Sequence, residues 1–353
     1  MNRLLAALLL FLAFVPQADS LVILQYHHIS NSTPKSTSLS PLLFEQHLDY
    51  LYRYHFKVLP LDVVIKGLKK GEHFDDKTVV ITFDDGYRSI YTTAFPLLKK
   101  YRFPFTVFIN TAPLEKELAQ FMNWQELQEF TQNRGLIGNH SVNHPHLIKR
   151  RKPDPNKKLI RQITREITQA QTLIESKLNH SLMAFAYPYG EFDSLSKVVV
   201  KRLGFVGFGQ HSGAVLEQPD LQALPRFPFG GDYGSMPDFI IKVNSLALPL
   251  TKSKLLNNNG NALATHLLSF DLDKPKLKLS LKSPSKALNV QCYSSNGLKL
   301  ARQDLGASLI FTPLEPIPVG RSRYNCTAAS EHKDRFYWFS QPLIRAKASG
   351  DFY

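Results

Sequence analysis

The chain has 353 residues, 43% hydrophobic and 20% charged, so it is globular and long enough for one large domain and a small one. A net charge of +14 suits nucleic acid, an anionic envelope surface or an acidic glycan. No nucleic-acid motif accompanies that charge, so a basic envelope protein is expected and nucleic acid is not expected as a partner.

Met1 to Ser20 reads as a secretory signal. Arg3 is its positive start, Leu4 to Val15 is an apolar run too short to span a bilayer comfortably, and Ala18-Asp19-Ser20 is a small-residue cleavage site. The mature chain would begin at Leu21, and the alternative is an uncleaved anchor. No other stretch approaches the length of a membrane span. Leu21 to Tyr26 predicts a first strand, followed by His27-His28. Ser40-Pro41 opens a helix, with Ser40 as N-cap and Pro41 in the first turn. Phe56 to Leu59 predicts a strand and Leu61 to Leu68 a helix.

Val79 to Phe83 is a β-branched, apolar run expected as a buried strand. It stops at Asp84-Asp85-Gly86, and α/β folds place their chemistry at the C-terminal ends of strands. Alone, Asp-Asp-Gly reads as a surface turn. Two adjacent carboxylates stay ionised only if something positive holds them, and a divalent metal is one candidate. Tyr87 to Tyr101 reads as one helix, Phe103 to Asn110 as a strand, and Asn123 to Thr131 as a helix whose Trp124 is either core or a sugar platform. After Leu136-Ile137 comes His140-Ser141-Val142-Asn143-His144-Pro145. Pro145 argues against a regular helix, so a tight loop is expected to bring the two imidazoles together. One carboxylate and two histidines are a standard catalytic metal set.

Leu159 to Leu178 predicts the longest helix, with Ile163, Ile167, Ala170 and Ile174 on one stripe. Leu182 to Tyr187, Gly204 to Phe208 and Leu224 to Phe227 predict strands, and Ser194 to Leu203 a helix. This β/α alternation argues for a barrel of parallel strands. From Leu250 the pattern changes. Asn257 to Asn261 is turn-rich, and short strands are expected at Leu277–Leu281, Val290–Tyr293, Ala307–Phe311, Tyr324–Thr327 and Phe336–Phe339, as in a small sandwich. Cys292 and Cys326, the only cysteines, both fall there, and a secreted context favours their pairing.

Taken together, Thr82-Phe83-Asp84-Asp85-Gly86 and His140 to His144 resemble the first two motifs of the NodB-homology polysaccharide deacetylases, carbohydrate esterase family 4. The third motif of that family, R-x-P-Y, is departed from: Ala186-Tyr187-Pro188-Tyr189 lacks the arginine. With Tyr26-His27 ahead of the first motif, the chain resembles the branch acting on poly-β-1,6-N-acetylglucosamine. The resemblance covers roughly residues 21 to 245. It implies a fold, a deformed (β/α) barrel of the NodB-homology type, here followed by a small all-β, sandwich-like domain. The expected organisation is signal 1–20, deacetylase domain 21–249, linker 250–262 and accessory domain 263–353.

The resemblance also implies roles. Asp85, His140 and His144 would hold a divalent metal, zinc by its donor set, with nickel, cobalt or iron as alternatives. Asp84 would be the general base, His27 the acid for the leaving amine, and Tyr187, Pro188 and Tyr189 would contact substrate. Arg226 is either an ordinary surface arginine or the replacement for the missing guanidinium beside Asp84. The partner implied is an N-acetylglucosamine polysaccharide, with an export-machinery or envelope component beside it, in a protein secreted across the inner membrane to the periplasm or beyond. Rival readings are a deacetylase of chitin, peptidoglycan or O-acetylated xylan, and an inactive glycan-binding protein.

Overall fold

Strands that are apolar along their whole length need cover on both faces, and parallel sheets flanked by helices provide it. The computed structural model describes residues 20–149, 155–180, 182–282 and 288–352, so the expected signal segment lies almost wholly outside the described residues. The strands of its main sheet are β1 (Leu21–Tyr26), β2 (Lys57–Val58), β3 (Thr78–Phe83), β4 (Phe105–Ile109), β5 (Gly135–Asn139), β6 (Ala184–Ala186), β7 (Val206–Phe208) and β8 (Phe227–Pro228). Their order is β8-β1-β3-β4-β5-β6-β7, every pairing is parallel, and β2 adds to β3. The sheet curls until β7 faces β8. No strand pairing joins those two; Leu224 closes the gap with a parallel bridge to Phe208. The result is the expected deformed barrel, nearly shut at one seam.

Around it lie α1 (Pro41–Arg53), α2 (Leu61–Lys70), α3 (Phe95–Tyr101), α4 (Trp124–Gln132), α5 (Pro155–Leu178), α6 (Ser194–Arg202) and α7 (Met236–Val243). The Ser40 hydroxyl caps α1 by accepting from the Leu43 amide at 3.2 Å. Tyr87–Tyr101 is not the single helix expected. Pro96 has no N–H to return to Thr92, and the chain passes through a wider π-turn at Ile90–Ala94 before α3 begins. On α5 the stripe of Ile163, Ile167, Ala170 and Ile174 is buried, as its spacing requires.

The C-terminal region is all β: β9 (Leu246–Ala247), β10 (Leu250–Leu256), β11 (Leu267–Leu268), β12 (Lys276–Leu281), β13 (Gln291–Ser294), β14 (Ala301–Leu305), β15 (Ser308–Thr312), β16 (Gly320–Ala329) and β17 (Phe336–Arg345). They form one sheet ordered β9-β17-β16-β13, with β11 on β17, and a second ordered β10-β12-β15-β14. Leu277, Leu279, Leu309, Phe311, Tyr324 and Leu343 fill the layer between them. The span expected as a linker is therefore partly strand: β10 pairs along β12. Cys292 and Cys326 stand opposite one another on β13 and β16, and their sulfurs are bonded.

The two regions are bound to each other. β9 pairs with β17, and Trp338 packs edge-on against Phe227 at 5.2 Å. Arg335 grips Asp76 with both guanidinium nitrogens, at 3.0 and 2.8 Å. This seam carries β16 towards the C-terminal ends of the barrel strands, where Arg321 reaches the Tyr189 carbonyl.

Candidate active site

β1 and β3 run side by side in register, Tyr26 beside Phe83, so the residues after them emerge together. The Asp84 amide donates to the Tyr26 carbonyl at 2.9 Å and holds that junction. The Asp84 side chain is wholly buried. Its Oδ1 accepts from Arg226 Nη1 at 2.7 Å, and its Oδ2 accepts from Arg226 Nη2 at 2.7 Å and from Gln25 Nε2 at 2.6 Å. Arg226, also wholly buried, is not an ordinary surface arginine: it sits at the barrel seam and fixes its own fork by donating Nε to the Gly209 carbonyl at 2.9 Å. Burial would raise the Asp84 carboxyl, but the Arg226 guanidinium, with His140 and His27, holds it below the usual carboxylate range.

Asp85 points elsewhere. At φ 72° its backbone is left-handed, which turns its carboxylate away from Asp84's partners and towards the next strand end but one. Gly86 follows at φ 76°, where an added Cβ would meet Ile109 at 3.0 Å, so glycine suits both conformation and space. Asp85 Oδ1 lies 3.4 Å from His140 Nε2 and 3.5 Å from His144 Nε2. The loop carrying those histidines is not helical: Ser141 and His144 have φ 71° and 53°. It is pinned by the buried Glu166 of α5, whose carboxylate accepts from the Val142 amide at 3.0 Å and from the Asn143 amide at 2.8 Å. Asn139 accepts from the Ser141 amide at 2.9 Å.

The donor atoms of Asp85, His140 and His144 all lie within 4.8 Å of one another. His140 Nδ1 can only donate to the Ala186 carbonyl, at 2.7 Å, since a carbonyl has no proton to give. In the neutral ring Nε2 is then a bare lone pair. It is buried, makes no hydrogen bond among the described residues, and faces a carboxylate oxygen. Two acceptors so placed repel unless a cation lies between them or the ring is protonated. The set of one oxygen and two imidazole nitrogens fits a divalent cation of the zinc, nickel, cobalt or iron kind.

Other expected residues are sorted by their surroundings. His27 is part-buried beyond β1 and acts electrostatically on Asp84, Asp85 and His144. His28 is stacked on Tyr87 at 3.6 Å, and burial pushes its imidazole down to about 4. Tyr187, expected to contact substrate, is instead core: it is fully buried and its hydroxyl donates to the Gln222 carbonyl at 2.8 Å. Pro188 is buried too and opens the turn beyond β6. Only Tyr189 of that trio stands at the site, at φ 59°, with its ring 4.4 Å from that of His144 and stacked on His146 at 4.1 Å. Gln25, Glu166 and Arg321 were not singled out from sequence. Gln25 had a signal, being the one polar residue in the apolar run of β1. Glu166 and Arg321 had none, because each reaches the site from a remote element.

Residues 71–208 match the polysaccharide deacetylase family model. A poly-β-1,6-N-acetyl-D-glucosamine N-deacetylase of Staphylococcus aureus (strain MRSA252) is 29% identical over 213 residues, which is 59% of this chain and 73% of that protein. Among solved structures, the Streptococcus pyogenes deacetylase PplD in complex with acetate superposes with TM-score 0.57 at 25% identity, over 64% of this chain and 99% of that one. IcaB from Ammonifex degensii superposes with TM-score 0.55 at 24% identity, over 65% and 98%, and speaks for the fold alone. The motif, the fold and the assembled strand ends agree with that match, and residues 71–208 carry a polysaccharide deacetylase domain.

Proposed function

We propose that this protein is an N-deacetylase of a β-1,6-linked N-acetylglucosamine polymer. The observation that carries the reading is the division of labour between adjacent carboxylates. Asp85 joins the two histidines, while Asp84 is held apart by Arg226 and Gln25. The Staphylococcus relative, whose name specifies that polymer, supports the choice of substrate.

Amide hydrolysis needs a nucleophile, a place for negative charge on the carbonyl oxygen, and a proton for the departing amine. Asp84 serves as base. A carboxylate offers about four lone-pair directions; on Oδ1 only Arg226 is bonded, so one lone pair remains unbonded, and this reading has it take the proton of the attacking water. The bidentate fork fixes the rotamer for that transfer. Asp85, His140 and His144 would hold the divalent cation, which supplies Lewis acidity to the acetamide carbonyl and the attacking water. The backbone N–H near Tyr189 aids the oxyanion. His27, at the end of β1, donates the proton to the amine.

The reading includes export: the disulfide suits an oxidising compartment, and among the described residues no helix is long and apolar enough to cross a membrane. An envelope or export component is the partner this location implies. The test is acetate release from defined β-1,6-linked N-acetylglucosamine oligomers, with and without chelator. Chitin oligomers, peptidoglycan and acetylated xylan run alongside. Preference for the β-1,6-linked series, abolished by chelator and restored by metal, supports the proposal. Preference for another polymer replaces the substrate, and no release from any of them rejects the activity.

A further inference from the structure

The seam between barrel and sandwich opens, beside Tyr189, into a cavity of about 360 Å³ lined by Tyr189, Gln210, Ser295, Arg321 and Arg323 among others. Tyr189 is a shared wall, since its ring also packs on His144 of the candidate metal set. Arg321 and Arg323 are two residues apart on β16, so they project from the same face of the strand, away from the sandwich core that takes Tyr324. Arg321 donates to the Tyr189 carbonyl at 2.7 Å and lies 5.5 Å from the centre of its ring. Arg323 is half-buried, yet its guanidinium makes no hydrogen bond or ion pair among the described residues. A guanidinium removed from water without a partner is placed to receive one.

Resting on the deacetylase reading, we propose that the C-terminal β region completes the active site. In this arrangement Arg321 and Arg323 form a subsite for the neighbour of the sugar under attack, and that subsite selects an N-acetylated neighbour over one already deacetylated. An acetamide offers a carbonyl oxygen to a guanidinium. A free amino sugar near neutral pH offers an ammonium, with three donors and no acceptor. It meets fixed positive charge instead of a hydrogen bond: that of Arg323 is unopposed among the described residues, while that of Arg321 is partly offset by an ion pair. One carboxylate, Glu191, lines the same cavity, but it is buried, accepts from His146 at 2.9 Å and lies 3.4 Å from Arg321. His211 and His266 also line it; burial pushes them down to about 3 and about 4, so they add no charge near neutrality. The consequence is a spaced pattern of deacetylation: each product amine protects one adjacent sugar.

The test uses the full chain and synthetic β-1,6-linked N-acetylglucosamine pentasaccharides. One is fully acetylated and the others carry a single glucosamine at a chosen position; deacetylated positions are mapped by tandem mass spectrometry. The wild type should turn over the sugar on one side of an existing glucosamine about tenfold more slowly than in the fully acetylated oligomer. Arg323→Gln, which leaves the Arg321 contact to Tyr189 in place, should cut that discrimination to about threefold, with a raised KM for the fully acetylated oligomer. The double variant with Arg321→Gln should abolish the discrimination. A wild type indifferent to the neighbour, or variants that keep the tenfold difference, overturns the subsite while leaving the deacetylase reading intact. No acetate from the fully acetylated pentasaccharide overturns that reading, and the subsite with it.

Discussion

The barrel rim and the C-terminal sandwich are built to different rules. At the rim Asp85, Ser141, His144 and Tyr189 are non-glycine residues with positive φ, clustered within one constellation. In the described residues beyond Leu250 the one such residue is Asp334, in a turn between long strands. The sandwich alternates buried and part-buried residues along its ladders, as in Lys276–Leu281. Conformations that cost of order 1–3 kcal/mol each persist only where their surroundings over-determine them. Here those surroundings are the hydrogen bonds that Glu166 and Asn139 accept from the histidine loop and the one Arg321 donates to the Tyr189 carbonyl. Six other such described residues before Leu250, among them His55, Arg102 and Asn179, lie singly in turns and at helix ends. At the rim four converge on one constellation, which points to a geometry held for chemistry, whereas regular ladders hold the sandwich.

That contrast sets the order of expected effects. His140→Ala should break the rim most severely. It removes a proposed ligand and the bond to Ala186, so metal content should fall below detection and acetate release by about 10³-fold or more. Retention of stoichiometric metal would show that the cluster is not the metal site. Arg226→Lys should lower kcat about 10²-fold with metal content normal, because an ammonium cannot reproduce the two-pronged grip on Asp84. Unchanged kcat would remove Arg226 from the positioning of the base.

Glu166→Gln sharpens the comparison further from the chemistry. Glutamine can keep both backbone amides on its one oxygen, as they share Oε2, but it loses the carboxylate charge and its N–H₂ meets the Asn143 Nδ2 that now donates to Oε1 at 2.9 Å, so the histidine loop loosens. Metal affinity should drop about tenfold, read by competition with a chelator, while thermal stability changes little. The same affinity in wild type and variant would mean the loop holds its shape without α5.

On the sandwich side, replacing Cys292 and Cys326 together by serine should cost about 3–4 kcal/mol on the loop-entropy estimate for a separation of 34 residues. Metal content should stay normal. Denaturant titration reads the first and metal analysis the second. If the double variant unfolds no earlier than the wild type, the bond is not a stabilising element.

Much of this was legible in the sequence, and the exceptions have physical causes. The parallel strands announced themselves as β-branched runs, and the barrel followed from their alternation with helices. Asp84, Asp85, His140 and His144 stood out because two short motifs hold them. Tyr187 misled because two residues so spaced would share a face of a continued strand, but the chain leaves β6 in a tight turn with Tyr189 at φ 59°, so Tyr189 stands at the site while Tyr187 turns into the core. Residues 250–256 looked like a tether since their polar residues alternate weakly, yet pairing with β12 makes them a strand. Glu166, Arg321 and Arg323 had no local signal. Their roles arise from where α5 and β16 are carried by packing.

The account turns on the unequal roles of the two adjacent aspartates, and the most direct test measures metal content and acetate release on one preparation of Asp84→Asn. Asparagine keeps the shape and leaves Asp85, His140 and His144 untouched, so the metal should remain stoichiometric while acetate release falls by about 10³-fold or more. A variant that has lost its metal and regains full activity when metal is added back would contradict the account and exchange the roles of Asp84 and Asp85.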